Sequence, residues 1–303
     1  MTPKDKIYPK ALLQLPRPPR KLYAIGNVEL LQNKALAIVG TRKNTEYGRT
    51  YTKKFAKELS NAGITIVSGL ALGIDSIAHK SSMKSFGKTI AVIGSGFDNV
   101  YPTENEKLYR EILKNEGCII SEYAPKTKVN MLNFPIRNRI IAGLSYGVLV
   151  IEARYRSGSS ITAKKAFEQN KPVFCIPNQI GEKTGVGTNN LIKMGAHLVT
   201  DVNEILQQIG EEQIANEIKE KIEKNIKKEE AEKKKFENNK FIERRMDRQY
   251  RSIYRTIQKG QINIEELAIK TKKSIIELNQ KITIMELEGL VETCPGNIIK
   301  IKE

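Results

Sequence analysis

One stretch decides the fold class of this chain: KALAIVGTRKNTEYGRTYTKKFAKELSNAGITIVSG, residues 34–69. It opens with an apolar run of strand length (34–40) that ends at a glycine. In the next segment (46–63) aromatic residues and a leucine recur every four positions, which is typical of an amphipathic helix. A second apolar run (64–69) follows at once. Strand, helix and strand at this spacing predict a parallel βαβ unit, because parallel strands need a long crossover connection.

The alternation of short apolar runs and helical segments continues to residue 210. The further runs predicted as strands are KTIAVIGSG (88–96), CIISEY (118–123), YGVLVIEA (146–153), KPVFCIP (171–177) and HLVT (197–200). Buried strands that alternate with helices predict the α/β class, with a doubly wound, mostly parallel sheet over residues 34–210. Residues 1–33 are rich in proline and predict an irregular N-terminal arm that packs on this domain.

The composition changes abruptly after residue 210. Of the 35 residues in 211–245, 21 are charged (11 basic and 10 acidic) and none is glycine or proline, which predicts a charged linker without a packed core. Residues 246–303 show three helical segments and then a hairpin around Pro295, Gly296 and Asn297. This order of elements is the layout of a winged helix-turn-helix domain.

The net charge of +17 is concentrated in residues 1–210, which hold 30 basic and 16 acidic side chains. The excess favours a polyanion partner, most commonly nucleic acid; a generally basic surface is the alternative. Three distant cysteines and two histidines form neither a disulfide framework nor a zinc motif, so we expect no metal site and a reducing, cytoplasmic location. No run reaches the ~18 apolar residues of a membrane span. The first 20 residues contain no apolar h-region, so we expect no signal peptide.

Three predicted strands end in turns of small residues, at 39–48, 67–75 and 92–102. Such turns present backbone N–H groups at the start of the next helix, where the helix dipole favours phosphate. With Gly40 and Arg42 in the first turn, they predict an anion-binding crevice at the carboxyl ends of the strands. None matches a dinucleotide fingerprint or a P-loop, and each turn taken alone is equally consistent with a tight strand-to-helix connection.

One helix start, NFPIRNRIIAGLS (133–145), carries arginines in an unusual place. Asn133 is the expected N-cap, which puts Arg137 and Asn138 in the first turn, where a cation is unfavourable unless an anion is bound. Phe134, expected just before the helix, fits a hydrophobic staple and a base-stacking platform equally well.

A second helix start, RYRSGSSITA (154–163), places Arg154 and Arg156 beside the hydroxyl and N–H groups of 157–160. This pattern fits a phosphate site, and it also fits an ordinary serine N-cap with solvated arginines. Asp75 and His79 lie four apart on a predicted helix, and they fit either an acid–base pair or a helix cap beside a buried histidine.

Seven motifs in unbroken order over residues 34–200 resemble the Smf/DprA family of DNA-processing proteins. They are VGTRxxxxYG, SGLALGIDSIAH, TIAVIGSGFDNVYPxxN, SEY, FPIRNRIIAGLS, VLVIEAxxxSGSSITAxxAxxxxKPVFCIP and GTNNLIKMGA. The resemblance implies an extended Rossmann fold that binds single-stranded DNA with no strong base preference, forms a homodimer and delivers the strand to the RecA recombinase in natural transformation. It implies no enzymatic activity and no cofactor, and a C-terminal winged helix is common in the family.

The resemblance also implies which residues bind DNA. Those carried over are Arg42, Ser68, Gly69, Arg137 and Asn138, with Phe134 as the aromatic that contacts a base. Lys126 and Lys128 are included because of their charge and their position before the helix start at 133–145. The remaining residues come from the glycine turn after the first strand and from the two helix starts. The full expected set is Gly40, Arg42, Ser68, Gly69, Lys126, Lys128, Phe134, Arg137, Asn138, Arg139, Arg156, Ser157, Gly158 and Ser159.

Two other classes of function stay open. Nucleotide-processing enzymes of the phosphoribohydrolase type use the same kind of sheet, and Glu152, Asp75 and Glu122 are available acids here. However, the PGGxGTxxE loop of those enzymes is replaced by SGSSITA. The winged helix suggests a transcription regulator, but residues 246–303 carry a net charge of only +2, which favours a role in protein contacts instead.

Overall fold

The computed structural model describes residues 1–155, 157–210, 247–258 and 260–302. These residues form two compact units, one within Met1–Glu220 and one within Lys221–Glu303. The linker predicted at 211–245 lies outside the described residues, so it stays a prediction. No helix of the described ranges is long and apolar enough to cross a membrane.

The N-terminal unit is built on one eight-stranded sheet. Its strands are β1 (Tyr23–Gly26), β2 (Ala35–Val39), β3 (Thr65–Ser68), β4 (Thr89–Ile93), β5 (Cys118–Ser121), β6 (Val148–Val150), β7 (Val173–Cys175) and β8 (His197–Leu198). They lie in the order β1-β5-β4-β3-β2-β6-β7-β8. Every pair is parallel except β1 with β5. The doubly wound, mostly parallel sheet is therefore confirmed.

Helices cover both faces of this sheet. They are α1 (Lys10–Leu13), α2 (Glu46–Asn61), α3 (Ile74–Ser82), α4 (Glu106–Lys114), α5 (Asn133–Leu144), α6 (Gly158–Glu168), α7 (Val186–Lys193) and α8 (Val202–Gln208). One core lies between the sheet and α5 and α6, and another between the sheet and α2, α3 and α8. In α2, Phe55 and Leu59 are fully buried, as the four-residue period predicts.

The N-terminal arm differs from the irregular segment that its prolines predict. It contains α1 and β1, and β1 pairs antiparallel with β5 from Tyr23↔Ser121 to Gly26↔Cys118. This pairing satisfies the backbone groups of β5 that would otherwise form a sheet edge. A four-residue strand with no alternating pattern is stabilised by its partner rather than by its own sequence, which is why sequence reasoning missed it.

The chain reverses direction across the sheet at β2. From β2 it winds outward through β3, β4 and β5, and then it returns to place β6 on the other side of β2. Loops that follow β2 and β6 therefore leave the sheet in opposite directions and open a crevice between them. In open α/β sheets this switch point, at the carboxyl ends of the strands, is where ligands bind.

The C-terminal unit contains the three helices and the hairpin expected from the sequence. Its elements are α9 (Arg248–Ile257), β9 (Ile262–Asn263), α10 (Ile264–Thr271), α11 (Ile275–Leu287), β10 (Val291–Cys294) and β11 (Ile298–Ile301). The strands form an antiparallel sheet in the order β10-β11-β9, and β9 is a short addition that the sequence did not indicate. Tyr254, Leu267, Leu278 and Met285 are fully buried in its core.

Candidate functional site

A crevice with a volume of about 420 Å³ opens at the switch point between β2 and β6. Three structural parts form its walls: the turn after β2, the first turns of α5, and the start of α6. The residues from the expected DNA-binding set that line it are Gly40, Arg42, Phe134, Arg137, Asn138, Ser157, Gly158 and Ser159. The structure thus brings together residues that are more than 100 positions apart in the chain.

Arg137 forms part of the floor of the crevice and is only 6 % exposed. Its Nη1 donates hydrogen bonds to the carbonyl oxygens of Gly69, at 2.7 Å, and of Val92. Its Nε donates to Oδ1 of Asn138 at 3.2 Å. Because Gly69 directly follows β3 and Val92 lies near the end of β4, the guanidinium ties both strands to α5.

Asp75 supplies the negative charge nearest to this buried arginine. Its Oδ2 accepts a hydrogen bond from the N–H of Gly69 at 3.0 Å. A Cβ on Gly69 would lie 2.8 Å from both terminal nitrogens of Arg137 and from Oδ2 of Asp75, so any larger residue at this position would displace these two side chains. Burial raises the pKa of Asp75, and Arg137 opposes that shift. Burial lowers the pKa of Arg137 to about 10, although Asp75 acts in the opposite direction.

Asp75 was considered as the cap of α3, and this was wrong. Gly73 is the N-cap, and Asp75 lies inside the first turn with its carboxylate turned back to Gly69. His79 is fully buried; its Nε2 accepts from the N–H of Leu70 at 3.3 Å, and its Nδ1 lies 2.7 Å from Oγ1 of Thr89. Burial and the charge of Arg137 lower the pKa of His79 to about 3, so it is neutral at pH 7 and has both ring nitrogens satisfied.

Glu152, just after β6, links that strand to the loop that follows β2. It is 1 % exposed and accepts hydrogen bonds from the N–H and the hydroxyl of Thr45, at 3.0 and 2.5 Å. The hydroxyl of Thr184 lies 3.3 Å from the same carboxylate. Since Thr45 is the N-cap of α2, the carboxylate also lies at the positive end of that helix dipole.

Two exposed arginines, Arg42 and Arg154, face the crevice. Within the described ranges neither forms an ion pair, so both guanidiniums are available to an anion. The start of α6 faces them: Ser157 is its N-cap and accepts from the N–H of Ser160 at 3.4 Å. Asn138 connects this helix to α5 by donating to the carbonyl of Gly158 at 3.3 Å.

Phe134 lies inside the first turn of α5, not before the helix as expected. The N-cap is Leu132, and Asn133, the predicted cap, is the first helical residue. The Phe134 ring is half-buried and lies against Gly94, where an added Cβ would be 2.8 Å from the ring. The ring centroid is 5.4 Å from that of Tyr101 and 5.9 Å from Cζ of Arg137.

Several expected DNA-binding residues do not line the crevice. Ser68 is buried and donates to the carbonyl of Ile38 at 2.6 Å. Arg139 faces away and forms an ion pair with Glu122, at 2.6 Å to each carboxylate oxygen. Lys126 and Lys128 are exposed on the loop before α5, outside the crevice. Gly69 lies beneath Arg137, and Arg156 lies outside the described residues.

Sequence reasoning underrated Arg154 in favour of Arg156, and it missed Met131 and Ile161, which give the crevice an apolar rim. The signal for Arg154 was present, because it directly follows a predicted strand at the switch point. Among the described residues, no three His, Cys, Asp or Glu side chains lie together so that they could hold a metal ion. Cys118 and Cys175 are buried in β5 and β7, and burial raises the pKa of each thiol to about 12.

An open, mostly parallel sheet with an arginine-lined crevice at its switch point defines a Rossmann-like protein. The family model of DNA recombination-mediator protein A matches residues 1–210. The chain therefore belongs to this family.

Individual relatives agree with the family match. Protein Smf of Synechocystis is 44 % identical over 69 % of this chain and 54 % of its own length. The crystal structure of DNA processing protein A from Streptococcus pneumoniae is 41 % identical, with a TM-score of 0.65 over 68 % of this chain and 72 % of that one. The Helicobacter pylori protein, whose structure is described as showing a single-stranded DNA binding mode, is 36 % identical, with a TM-score of 0.62 over 66 % and 92 %. The chain spans about half the length of the Smf relatives it matches.

Proposed function

We propose that this protein binds single-stranded DNA in the crevice at the switch point, without catalysing a reaction. The observation that carries the proposal is that two exposed guanidiniums, Arg42 and Arg154, share one crevice with the start of α6. A helix start and unpaired arginines together favour a phosphate. Family membership makes a DNA strand the natural source of that phosphate.

The backbone and the bases of the strand would be held by different groups. Phosphates would lie between Arg42 and the N–H groups of Gly158 and Ser159, while Phe134 would present its ring to one base. Arg137 would contribute its charge from below, because its Nη1 and Nε are already bonded to the protein. Stacking and phosphate contacts tolerate every base, so affinity should depend little on sequence.

Fluorescence anisotropy with labelled oligo-dT tests this proposal. Affinity should fall with salt, with a slope of about −0.7 in log K against log [salt] for each phosphate neutralised. Phe134→Leu should weaken binding by ~1–3 kcal/mol, whereas Phe86→Leu, at an 85 % exposed phenylalanine, should leave it unchanged. Absence of binding at low salt would refute the proposal.

We also infer that the protein acts as a homodimer through its Rossmann domain and helps to load RecA onto the strand. The edge strand β8 supports a dimer contact, because it presents exposed apolar side chains. Leu198 in the strand is 48 % exposed, and Met194 just before it is 72 % exposed. Leu198→Glu should shift the mass measured by light scattering from dimer to monomer. RecA loading rests on family resemblance, and assembly of RecA on single-stranded DNA with and without the protein tests it.

The enzyme alternative has less support, because the three carboxylates available for it are already committed. Glu152 is bonded to Thr45, Glu122 is paired with Arg139, and Asp75 is buried against Gly69. Release of free base from nucleoside monophosphates at micromolar protein would revive this alternative.

The transcription-regulator alternative depends on α11, the third helix of the C-terminal unit. Lys273 and Lys281 both donate to Oε1 of Glu277, at 2.7 and 2.5 Å. The solvent face of the helix carries Ile276 and Leu287, which are 75 % and 84 % exposed. A helix with paired lysines and an apolar face suits protein contacts better than a DNA groove.

A further inference from the structure

A second cavity, of about 490 Å³, lies next to the crevice and is called the hollow here. It is formed by the segment 97–103 after β4, by one face of α4, and by Val129. None of the expected DNA-binding residues lines it.

Aromatic rings form much of its wall: Phe97, Tyr101 and Tyr109. Tyr101 is also the ring that packs on Phe134, with centroids 5.4 Å apart and planes inclined at 35°. Since Phe134 lines the crevice, the Tyr101–Phe134 pair is a wall shared by the two cavities. A strand with one base at Phe134 therefore has an aromatic-walled space immediately beyond it.

The charges of the hollow differ from those of the crevice. Asp98 is exposed, and the second carboxylate, Glu106, is paired at 2.5 Å with Arg110, which also lines the hollow. Carboxylates repel a phosphate, but they accept hydrogen bonds from the exocyclic amino groups of bases, as the pairing of Asp and Glu with cytosine N4 illustrates. The hollow is therefore suited to a base and not to the backbone.

Two further basic residues border the hollow on the outside. The N–H of Asp98 donates to the carbonyl of Pro125 at 3.0 Å, and Nδ2 of Asn99 donates to that of Lys126 at 3.3 Å. These bonds hold the loop with Lys126 and Lys128 against the hollow, and both lysines are exposed. Phosphates on either side of a base in the hollow would thus meet positive charge.

We propose that the hollow is a second base subsite on the same DNA strand and that Asp98 makes it prefer a base with an exocyclic amino group over thymine. This inference rests on the proposed binding of single-stranded DNA in the crevice. It adds a moderate base preference to an otherwise sequence-tolerant site.

The experiment compares the dissociation constants of the full chain for oligo-dC and oligo-dT of equal length at pH 7.5. The variant is Asp98→Ala, and the control is Glu104→Ala, an exposed acid that does not line the hollow. Each change removes one negative charge, so any general gain in affinity is the same for both. We expect a dC preference of about 3- to 10-fold in the parent and the control, and a ratio near one in Asp98→Ala.

Equal affinities for dC and dT in the parent, or a ratio that Asp98→Ala leaves unchanged, would overturn the second subsite while oligo-dT binding still supports the crevice. Failure of the parent to bind oligo-dT would instead overturn the proposed function itself. Phe97→Ala adds an independent check, because loss of a stacking wall should weaken both oligonucleotides by about 5-fold or more. Unchanged binding of a folded Phe97→Ala protein would also count against the subsite.

Discussion

The crevice of the N-terminal unit and helix α11 of the C-terminal unit both carry basic side chains, but they hold them differently. In the crevice, Arg42 and Arg154 have no ion-pair partner within the described ranges and face a helix start. At α11, Lys281 of the helix and Lys273, which lies just before it, share Glu277, and their hydrogen bonds lower the pKa of that carboxyl to about 2. Counting charges therefore does not locate a polyanion site; what matters is whether the protein has already neutralised them.

A second contrast exists within the crevice itself. Arg42 is exposed, whereas Arg137 is buried and bonded to strand ends. The two arginines look alike in the sequence, but one is free to meet a ligand and the other holds the floor together. Substitution of each arginine separates these two roles.

Arg137→Ala should lower the free energy of unfolding by about 3 kcal/mol or more, because two buried carbonyls lose their donor at about 1–3 kcal/mol each and buried Asp75 loses the nearby positive charge. Urea denaturation followed by circular dichroism measures this loss. An Arg137→Ala protein of unchanged stability that no longer binds DNA would show instead that Arg137 is mainly a phosphate ligand.

Arg42→Ala should weaken oligo-dT binding by about 1.5–3 kcal/mol, or roughly 10- to 150-fold, because one charge-assisted phosphate contact is lost. Its stability should stay unchanged, since the side chain is exposed. Anisotropy titrations at several salt concentrations should also give a slope smaller by about 0.7. Arg17→Ala, at an exposed arginine of the N-terminal arm, is the matched control; an equal loss there would mean that the effect is only one of net charge.

The stability of the N-terminal unit should fall by about 1.5 kcal/mol between pH 6.5 and pH 5. The pKa of His79 is lowered to about 3 in the folded protein, so the unfolded chain binds a proton first as the pH falls. The contribution is fully present above pH 6.5 and is lost toward pH 3. Chemical denaturation at each pH measures it, and in His79→Gln the fall should disappear. The C-terminal unit has no histidine, so its stability should not change in this window for this reason.

Deletion of residues 247–303 should change oligo-dT affinity by less than about twofold, or ~0.4 kcal/mol. The reason is that Lys281 of α11 and Lys273 just before it are paired with Glu277, and that the exposed residues of the helix are uncharged. The same anisotropy titration measures it. A tenfold loss would remove the contrast between the two units and make the C-terminal unit a second DNA-binding element.

The regular elements could be predicted from the sequence because their signals are local. The apolar run ALAIV of β2 and the four-residue period of α2 each specify an element without reference to the rest of the chain. Strand β1 and the start of α5 could not be placed in this way. β1 depends on its partner β5, and the entry to α5 depends on Asn130, which accepts from the N–H of Leu132 at 3.0 Å.

The candidate site was predicted at the level of segments and less well at the level of side chains. Arg137, Arg139 and Arg42 carry the same group, but their surroundings come from distant parts of the chain. Arg137 donates to the carbonyls of Gly69 and Val92. Arg139 forms an ion pair with Glu122. Of these three arginines, Arg42 is the one that is exposed to solvent.

The sequence by itself determined the class of the fold, the family and the segments that surround the crevice, because hydrophobic period and glycine turns act over a few residues. The tertiary structure alone decided which charges are free. It buried Arg137, paired Arg139 and placed Tyr101 beside Phe134, since hydrogen bonding and burial depend on the strand order that brings these residues together.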